Sequence, residues 1–173
     1  MSFSTSLPPP SYSDDSNRTE LVYENNTITL EQEVPKTTYK LGEEVTVKPY
    51  FVNNGNQNVT VYYWKPSIFT HLYQDGQTIS AEDGFILEGN PLRNQTLLPH
   101  IPNSLNTLPF HFLPAKAAKP NFATTFWPGN YTVISKAWIR FDSNESDTFK
   151  GIALWSKPLQ ITVTNETIPE FPF

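Results

Sequence analysis

The stretch YTVISKAWI, residues 131–139, constrains the fold more than any other part of the chain. Its side chains alternate between two faces. One face would carry Tyr131, Val133, Ser135, Ala137 and Ile139, and the other Thr132, Ile134, Lys136 and Trp138. A period of two is the repeat of a β-strand, whereas a helix repeats every 3.6 residues. Since no segment of the chain shows the helical period, the sequence predicts an all-β protein.

Two turn signals divide other alternating segments. Asn54-Gly55 lies between runs at 45–52 and 59–63, and it predicts an antiparallel hairpin, because Asn and Gly accept the positive φ that tight hairpin turns need. Asp75-Gly76 predicts a second hairpin on the same grounds. Earlier, Leu21, Tyr23, Ile28 and Leu30 are predicted to share faces of two strands.

Residues 82–109 contain no clear alternation, and a loop of that length is uncommon in a compact domain. The segment either packs as an excursion over one end of the domain or contains a short strand near residues 95–98. Taken together, the pattern predicts an antiparallel, immunoglobulin-like β-sandwich of about seven to nine strands, with a long irregular excursion at 82–109.

The chain divides into three predicted parts. Residues 1–18 are rich in Ser and Pro and predict a disordered or extended lead-in. Residues 19–164 form the sandwich domain. Residues 165–173 form a stiff stalk next to a membrane, because Pro169 and Pro172 cannot continue a paired strand.

Composition excludes several functional classes. The net charge is −5, and no run of basic residues is present, which argues against binding to nucleic acid or to an anionic membrane surface. There is no cysteine, which removes disulfides, thiolate catalysis and zinc–thiolate sites. The absence of cysteine leaves the cellular compartment open.

Asn-x-Ser/Thr sequons are more frequent than chance predicts. The chain has seven of them, with acceptors at Asn17, Asn25, Asn58, Asn94, Asn130, Asn144 and Asn165. The frequencies of Asn, Ser and Thr alone would give about three. The excess predicts an exported glycoprotein, although Asn and Thr also concentrate in the turns and strands of any β protein. No signal peptide and no run of 18 apolar residues is present in this sequence.

Three segments carry a resemblance to a known class of proteins. The runs YKLGEEVTVKPYFVNNGNQNVTV, PGNYTV and LWSKPLQITVT resemble immunoglobulin-like domains of archaeal cell-surface proteins. The tail IPEFPF is similar to the proline segment that precedes a C-terminal membrane helix in many of those proteins. The resemblance implies an extracellular domain held at the cell surface by a C-terminal helix that lies outside this chain.

Candidates for metal binding are few. His71, His100 and His111 are the only histidines, and no two of them have ligand spacing. Asp142 and Asp147 offer oxygens for a calcium ion, but the segment lacks the Gly and the Glu of an EF-hand loop. A solvated turn is the simpler interpretation of that segment, and the sequence predicts no cofactor.

The sequence contains no catalytic motif, and its acidic doublets fall in tails or turns, so the chain is predicted not to be an enzyme. Tryptophans on exposed surfaces could stack against sugars. Trp64, Trp138 and Trp155 lie in strand-like runs and are interpreted as core residues, which leaves Trp127 as the candidate for glycan stacking.

These observations predict a non-catalytic extracellular domain for adhesion, envelope assembly or protein–protein interaction. Its partner would be another protein or an envelope component, and it would reach the membrane only through the C-terminal helix. One alternative is a module that binds a glycan or a metal ion, either copper or calcium. A further alternative is a fibre subunit that donates residues 19–33 as a strand to its neighbour.

Overall fold

The computed structural model describes residues 18–81, 91–112, 128–143 and 151–167. Within these ranges every regular element is a strand. The twelve strands are β1 (Glu20–Tyr23), β2 (Asn26–Glu33), β3 (Thr38–Leu41), β4 (Val45–Asn53), β5 (Val59–Tyr63), β6 (Ile68–Gln74), β7 (Gln77–Ala81), β8 (Arg93–Leu97), β9 (Phe110–Phe112), β10 (Gly129–Ile139), β11 (Ile152–Trp155) and β12 (Leu159–Thr167).

The strands form two main sheets and one ribbon. One sheet has the order β1-β2-β4-β9, and the other has the order β3-β12-β10-β6-β7, with β11 also paired to β10. The ribbon β5-β8 joins the second sheet through a bridge between Tyr62 and Arg140. This arrangement confirms the predicted all-β, immunoglobulin-like sandwich. The strands outnumber the predicted seven to nine because four of them are only three or four residues long.

The alternation at residues 131–139 is confirmed in β10. From Tyr131 onward, its odd-numbered residues are buried between the sheets, and its even-numbered residues lie on the outer face of the second sheet. The hairpin at Asp75-Gly76 is also confirmed, since the two residues have φ values of 50° and 77° and connect the paired strands β6 and β7.

The hairpin predicted at Asn54-Gly55 is wrong. β4 pairs with β2 and β9, while β5 pairs with β8, so the loop crosses between sheets. Gly55 is not among the residues with positive φ. A Cβ atom at Gly55 would lie 1.8 Å from Oδ1 of the buried Asn26, so the glycine allows the loop to approach Asn26 closely.

The last strand departs from the prediction in two ways. β3 pairs with β12 in parallel, because the chain crosses to the second sheet after β2 and then runs in the same direction as β12. The pairing includes a register shift between Thr164 and Thr167, which carries β12 three residues past the predicted domain end at residue 164. At this shift, Lys40 Nζ lies 2.7 Å from Glu166 Oε2, and this hydrogen bond lowers the pKa of the Glu166 carboxyl.

Part of the predicted excursion is ordered along an edge of the first sheet. Residues 82–90 lie outside the described residues, but Arg93–Leu97 form β8, so the short strand expected near residues 95–98 is present two residues earlier. The chain then follows β4, with bridges from Pro99 to Asn53 and from Asn103 to Phe51, before it enters β9.

The sandwich encloses two apolar clusters that are separated by polar side chains. One cluster includes Phe51, Ile68 and Ile139, and the other includes Val47, Leu72 and Val133. Between them, Ser135 Oγ donates to Gln32 Oε1 at 2.9 Å and lies 2.9 Å from Thr70 Oγ1. Gln32 Nε2 also donates to the carbonyl of Val133 at 2.8 Å. These bonds let polar groups join the two sheets at little desolvation cost.

Candidate functional site

The outer face of the second sheet carries a cluster of one lysine and two tryptophans. Lys136 Nζ lies 4.5 Å from the ring centroid of Trp138 and 4.7 Å from that of Trp155. Trp138 is two residues along β10 from Lys136, and Trp155 is the partner of Lys136 in the neighbouring strand β11. Strand alternation therefore brings the three side chains together, and we call them the lysine–tryptophan cluster.

The aromatic surface continues from this cluster across β10. The rings of Trp155 and His71 have centroids 6.2 Å apart, as do those of His71 and Tyr73. His71 is only 7% exposed although it lies on the outer face. Trp138 and Trp155 keep part of their surface in solvent. The indole N–H of Trp155 is buried and has no hydrogen-bond partner among the residues that the structure describes.

The expected roles of the tryptophans change accordingly. Trp64 is buried, as predicted, and the guanidinium of Arg140 lies over its ring. The interpretation of Trp138 and Trp155 as core residues is wrong, because both lie on the outward positions of their strands. Trp127, the predicted stacking residue, lies outside the described residues. The alternation in residues 131–139 already placed Trp138 opposite the core face, and that signal could have identified it.

The three histidines lie on separate elements. His71 is on β6, His100 is in the exposed turn after β8, and His111 is on the edge strand β9. Across the described ranges, no group of three or more His, Cys, Asp or Glu side chains is placed to hold a metal ion. The structure therefore does not bring the three histidines together.

His111 contacts a carboxylate and a hydroxyl, but the three side chains do not form a catalytic relay. His111 Nδ1 lies 2.8 Å from Glu44 Oε1 and 3.3 Å from Thr46 Oγ1. Both contacts end on the same ring nitrogen, whereas a relay needs the nucleophile and the orienting carboxylate on opposite nitrogens. The arrangement is an exposed surface pair.

Asp142 has a structural role, as the counter-charge of a buried arginine. Its carboxylate lies 2.5 Å from Arg140 Nη2, and the Arg140 side chain is nearly fully buried. A buried guanidinium needs such a counter-charge, so binding a calcium ion through Asp142 would compete with this ion pair. Asp147, the other aspartate predicted to offer oxygens for calcium, lies outside the described residues.

Five of the seven predicted glycan acceptors are described, and all five are exposed. They are Asn25, Asn58, Asn94, Asn130 and Asn165. Asn17 and Asn144 lie outside the described residues. By contrast, Asn26 and Asn53, which are not in sequons, are 2% and 0% exposed. Exposure therefore separates the acceptors from the asparagines that build the core.

A cleft of about 650 Å³ lies between β9 and the start of β6. Its lining is mainly apolar and comprises Lys65, Pro66, Ile68 and residues 106–111. Beside it, Leu105 and Asn106 have φ values of 50° and 57°, which is strained for a leucine. The turn is held by a 2.8 Å hydrogen bond from Leu105 N to Asn103 Oδ1, and it leaves Leu108 81% exposed.

Sequence analysis did not identify this cleft, because its two walls come from segments about 40 residues apart that only the fold brings together. A volume in this range suits a small ligand or an inserted side chain. Among the described residues of the lining, Lys65 and His111 are the ionisable ones. The cleft therefore offers an apolar surface with little chemistry for catalysis.

No protein-family model matches the chain, and no curated protein shows significant similarity to it. Among solved structures, the chain is similar to the CARDB domain of the PF1109 protein from Pyrococcus furiosus, which was crystallised in complex with di-metal ions. The TM-score is 0.41 and the identity 12%, over 84% of this chain and 100% of that one. The sporulation control protein Spo0M from Bacillus subtilis matches with a TM-score of 0.42 and 15% identity, over 80% of this chain and 50% of that one.

A β-glucosidase from Listeria innocua matches with a TM-score of 0.38 and 10% identity, over 83% of this chain and 17% of the enzyme. With such low identities and overlaps, these likenesses assign neither a family nor a ligand to the chain. Within the described residues, the structure contains no helix that is long and apolar enough to cross a membrane.

Proposed function

We propose that this chain is an exported, N-glycosylated and non-catalytic β-sandwich domain that binds another protein or an envelope component at the cell surface. The observation that carries the proposal is the exposure of all five described acceptors beside buried asparagines outside sequons. N-glycans are bulky and hydrophilic, so an acceptor must face solvent. The burial of Asn26 and Asn53 shows that this fold does accept asparagine in its core, yet none of the five described acceptors occupies such a position.

The non-catalytic part of the proposal is supported by the two places where chemistry was plausible. His111 makes both of its polar contacts through one nitrogen. The cleft is lined mainly by apolar side chains. Neither place combines a nucleophile, a base and a group that would stabilise a transition state, which an active site requires.

The resemblance to archaeal surface domains supports attachment through a C-terminal membrane helix. The complete gene tests this part of the proposal. It should encode a signal peptide upstream of these residues and a stretch of about 20 apolar residues downstream. A complete gene that lacks both would contradict surface attachment.

Glycosylation can be tested by mass spectrometry of the protein secreted by a host that attaches N-glycans. The intact mass should exceed the mass of the polypeptide, and Asn58→Gln should lower it by one glycan. Asn56→Gln is the matched control, because Asn56 is exposed in the same loop but is not in a sequon. Secreted protein with the bare polypeptide mass would refute the proposal.

A second candidate function is glycan binding on the outer face of the second sheet. The specific observation is the lysine–tryptophan cluster, whose two indoles are partly exposed on a sheet face. Aromatic rings with a polar group beside them suit stacking against a sugar. A glycan array tests this candidate, and loss of any binding in Trp138→Phe would place the ligand at the cluster.

Donation of residues 19–33 to a neighbouring subunit is a weaker alternative. In the structure this segment forms β1 and β2, and β2 pairs with β4 inside its own sheet. Ile28 and Leu30 are buried in the core, so donation would expose both side chains in the donor. A monomeric mass in sedimentation equilibrium would remove this alternative.

A further inference from the structure

We propose that Asn54 is a latent deamidation site, which the fold keeps unreactive and which records any opening of the loop between β4 and β5. Asn54-Gly55 is the only Asn-Gly pair in the sequence. Glycine has no side chain to hinder a close approach, so its main-chain nitrogen can reach the side-chain amide of a preceding asparagine. The inference is independent of the proposed function, because it requires no glycan, partner or cell surface.

The reaction joins two neighbouring groups of the chain. The main-chain nitrogen of Gly55 loses its proton to hydroxide and bonds to Cγ of Asn54. Nδ2 of Asn54 takes a proton from water and leaves as ammonia, which regenerates the hydroxide. Water then opens the cyclic imide at one of its two carbonyl carbons and gives aspartate or isoaspartate. Water is thus the only co-reactant.

The structure restrains the attacking nitrogen. Gly55 is buried, and its N–H donates to Oδ1 of Asn53 at 3.0 Å. Asn53 is 0% exposed, and its Nδ2 is fixed by donation to the carbonyls of Gln57 and Leu97. Hydroxide cannot remove a proton that is buried and hydrogen-bonded, which is also the condition that protects an amide from hydrogen exchange. Attack on Asn54 therefore has to wait until the loop opens.

The group under attack is anchored as well, although Asn54 is exposed. Its N–H donates to the carbonyl of Thr27 at 2.7 Å, and its Nδ2 donates to Oγ1 of Thr29 at 3.1 Å. Both partners lie on β2. Ring closure requires Cγ of Asn54 to move against the nitrogen of Gly55, and the two bonds to β2 oppose that movement.

The modification would make an opened loop permanent. Isoaspartate adds a methylene to the main chain beside Gly55, where even an added Cβ would lie 1.8 Å from Oδ1 of Asn26. Aspartate loses the bond from Nδ2 to Thr29, whose hydroxyl also contacts Glu31 at 3.2 Å. The new carboxylate would add a negative charge near that of Glu31. Either product resists return of the loop to its closed position, so a brief opening becomes a lasting change.

The test is incubation of the folded protein at mildly alkaline pH, with peptide mapping by mass spectrometry to measure aspartate and isoaspartate at position 54. The folded protein should be modified at least about tenfold more slowly than the same chain unfolded in guanidinium chloride. Asn53→Ala should raise the rate in the folded state at least about tenfold, because it frees the N–H of Gly55. Leu72→Ala is the matched control. It weakens the other apolar cluster and should leave the rate close to that of the wild type.

Two measurements cover the case in which Asn53→Ala does not fold. Thr29→Val removes the acceptor of Asn54 Nδ2 at a partly exposed position, and the loss of this hydrogen bond should raise the rate about threefold. In the wild type, guanidinium concentrations below the unfolding transition should accelerate hydrogen exchange at the Gly55 amide and modification of Asn54 by the same factor. Both processes need the same opening of the loop.

Equal rates in the folded and the unfolded protein would overturn the proposal, and so would an unchanged rate in a folded Asn53→Ala variant. Equal acceleration in Leu72→Ala and Asn53→Ala would also overturn it, because modification would then follow global unfolding. Modification of Asn54 that does not change in step with exchange at Gly55 would show that the bond to Asn53 is not the restraint.

Discussion

At one end of the sandwich, two buried asparagines lie next to two exposed ones. The buried pair has a structural role, and the exposed pair consists of predicted glycan acceptors. Asn53 donates from Nδ2 to the carbonyls of Gln57 at 2.7 Å and Leu97 at 3.1 Å, and its Oδ1 accepts from Gly55 N. Asn26 Oδ1 accepts from Gln57 N at 3.1 Å. These amides tie the loop between β4 and β5 to the strands around it.

The neighbouring acceptors face solvent, Asn25 in a turn and Asn58 in the loop before β5. Asn25 has a φ of 64°, a conformation that asparagine tolerates better than most residues. One position along the chain therefore separates a structural amide from a modification site. Strand parity and turn position therefore decide the role of each asparagine.

The largest expected effect is on the buried side. Asn53→Ala removes three hydrogen bonds and leaves buried carbonyl and N–H groups without partners, so it should lower the free energy of unfolding by about 3 kcal/mol. Urea denaturation measures this loss. Asn58→Ala in the same loop is the control and should change stability by less than about 0.5 kcal/mol. Similar losses in the two variants would show that burial does not distinguish the roles of Asn53 and Asn58.

Gly55→Ala should cause the second-largest loss of stability, because the added Cβ would clash with the side chain of Asn26. Overpacking of this kind costs about 1–3 kcal/mol. In the double variant with Asn26→Gly, the loss should be smaller than the sum of the two single losses, because Oδ1, Cγ and Cβ of Asn26, the three atoms nearest to the added Cβ, are all removed. Strict additivity in a double-mutant cycle would show that the close contact is unimportant.

Gly76→Ala is the matched control for that glycine. Gly76 has a φ of 77° and no atom within 4 Å of its added Cβ. The variant should therefore lose only about 1 kcal/mol, from the backbone conformation alone. A loss as large as that of Gly55→Ala would mean that backbone strain, and not the contact with Asn26, determines both effects.

The glycan acceptors should have the smallest effect on stability. The quantity to measure at these positions is therefore the fraction of each acceptor that carries a glycan. Asn25 lies in a turn and Asn58 in a loop, whereas Asn94 and Asn130 lie in strands. The amide oxygen of Asn130 also accepts a hydrogen bond from Thr162 at 2.9 Å. If modification follows folding, glycopeptide analysis should find higher occupancy at Asn25 and Asn58. Uniform occupancy would indicate modification before folding.

Local patterns predicted the strands but not all of their partners. The alternation in β10 and the Asp75-Gly76 hairpin depend on neighbouring residues, and the structure confirms both. The dipeptide Asn54-Gly55 has the same chemistry, yet its role is set by Asn26, which lies far away in the sequence. Turn residues allow a change of direction, but long-range packing selects which strands then pair.

The candidate sites show the same limit. Alternation could have placed Trp138 on the outer face, but nothing local to Lys136 indicated that Trp155 would lie beside it. The cleft depends on the approach of β9 to the start of β6. The acceptors could be predicted because a sequon is a local motif, although only the fold showed which asparagines face solvent.

The parallel pairing of β3 with β12 has a mechanical consequence. A pull on the chain beyond Thr167, opposed by a load before Thr38, would slide the two strands past each other along their axes. The inter-strand hydrogen bonds would then be loaded together in shear instead of opening one at a time from an end. Force spectroscopy should therefore show a higher rupture force for this pulling direction than for one that peels β7 from β6.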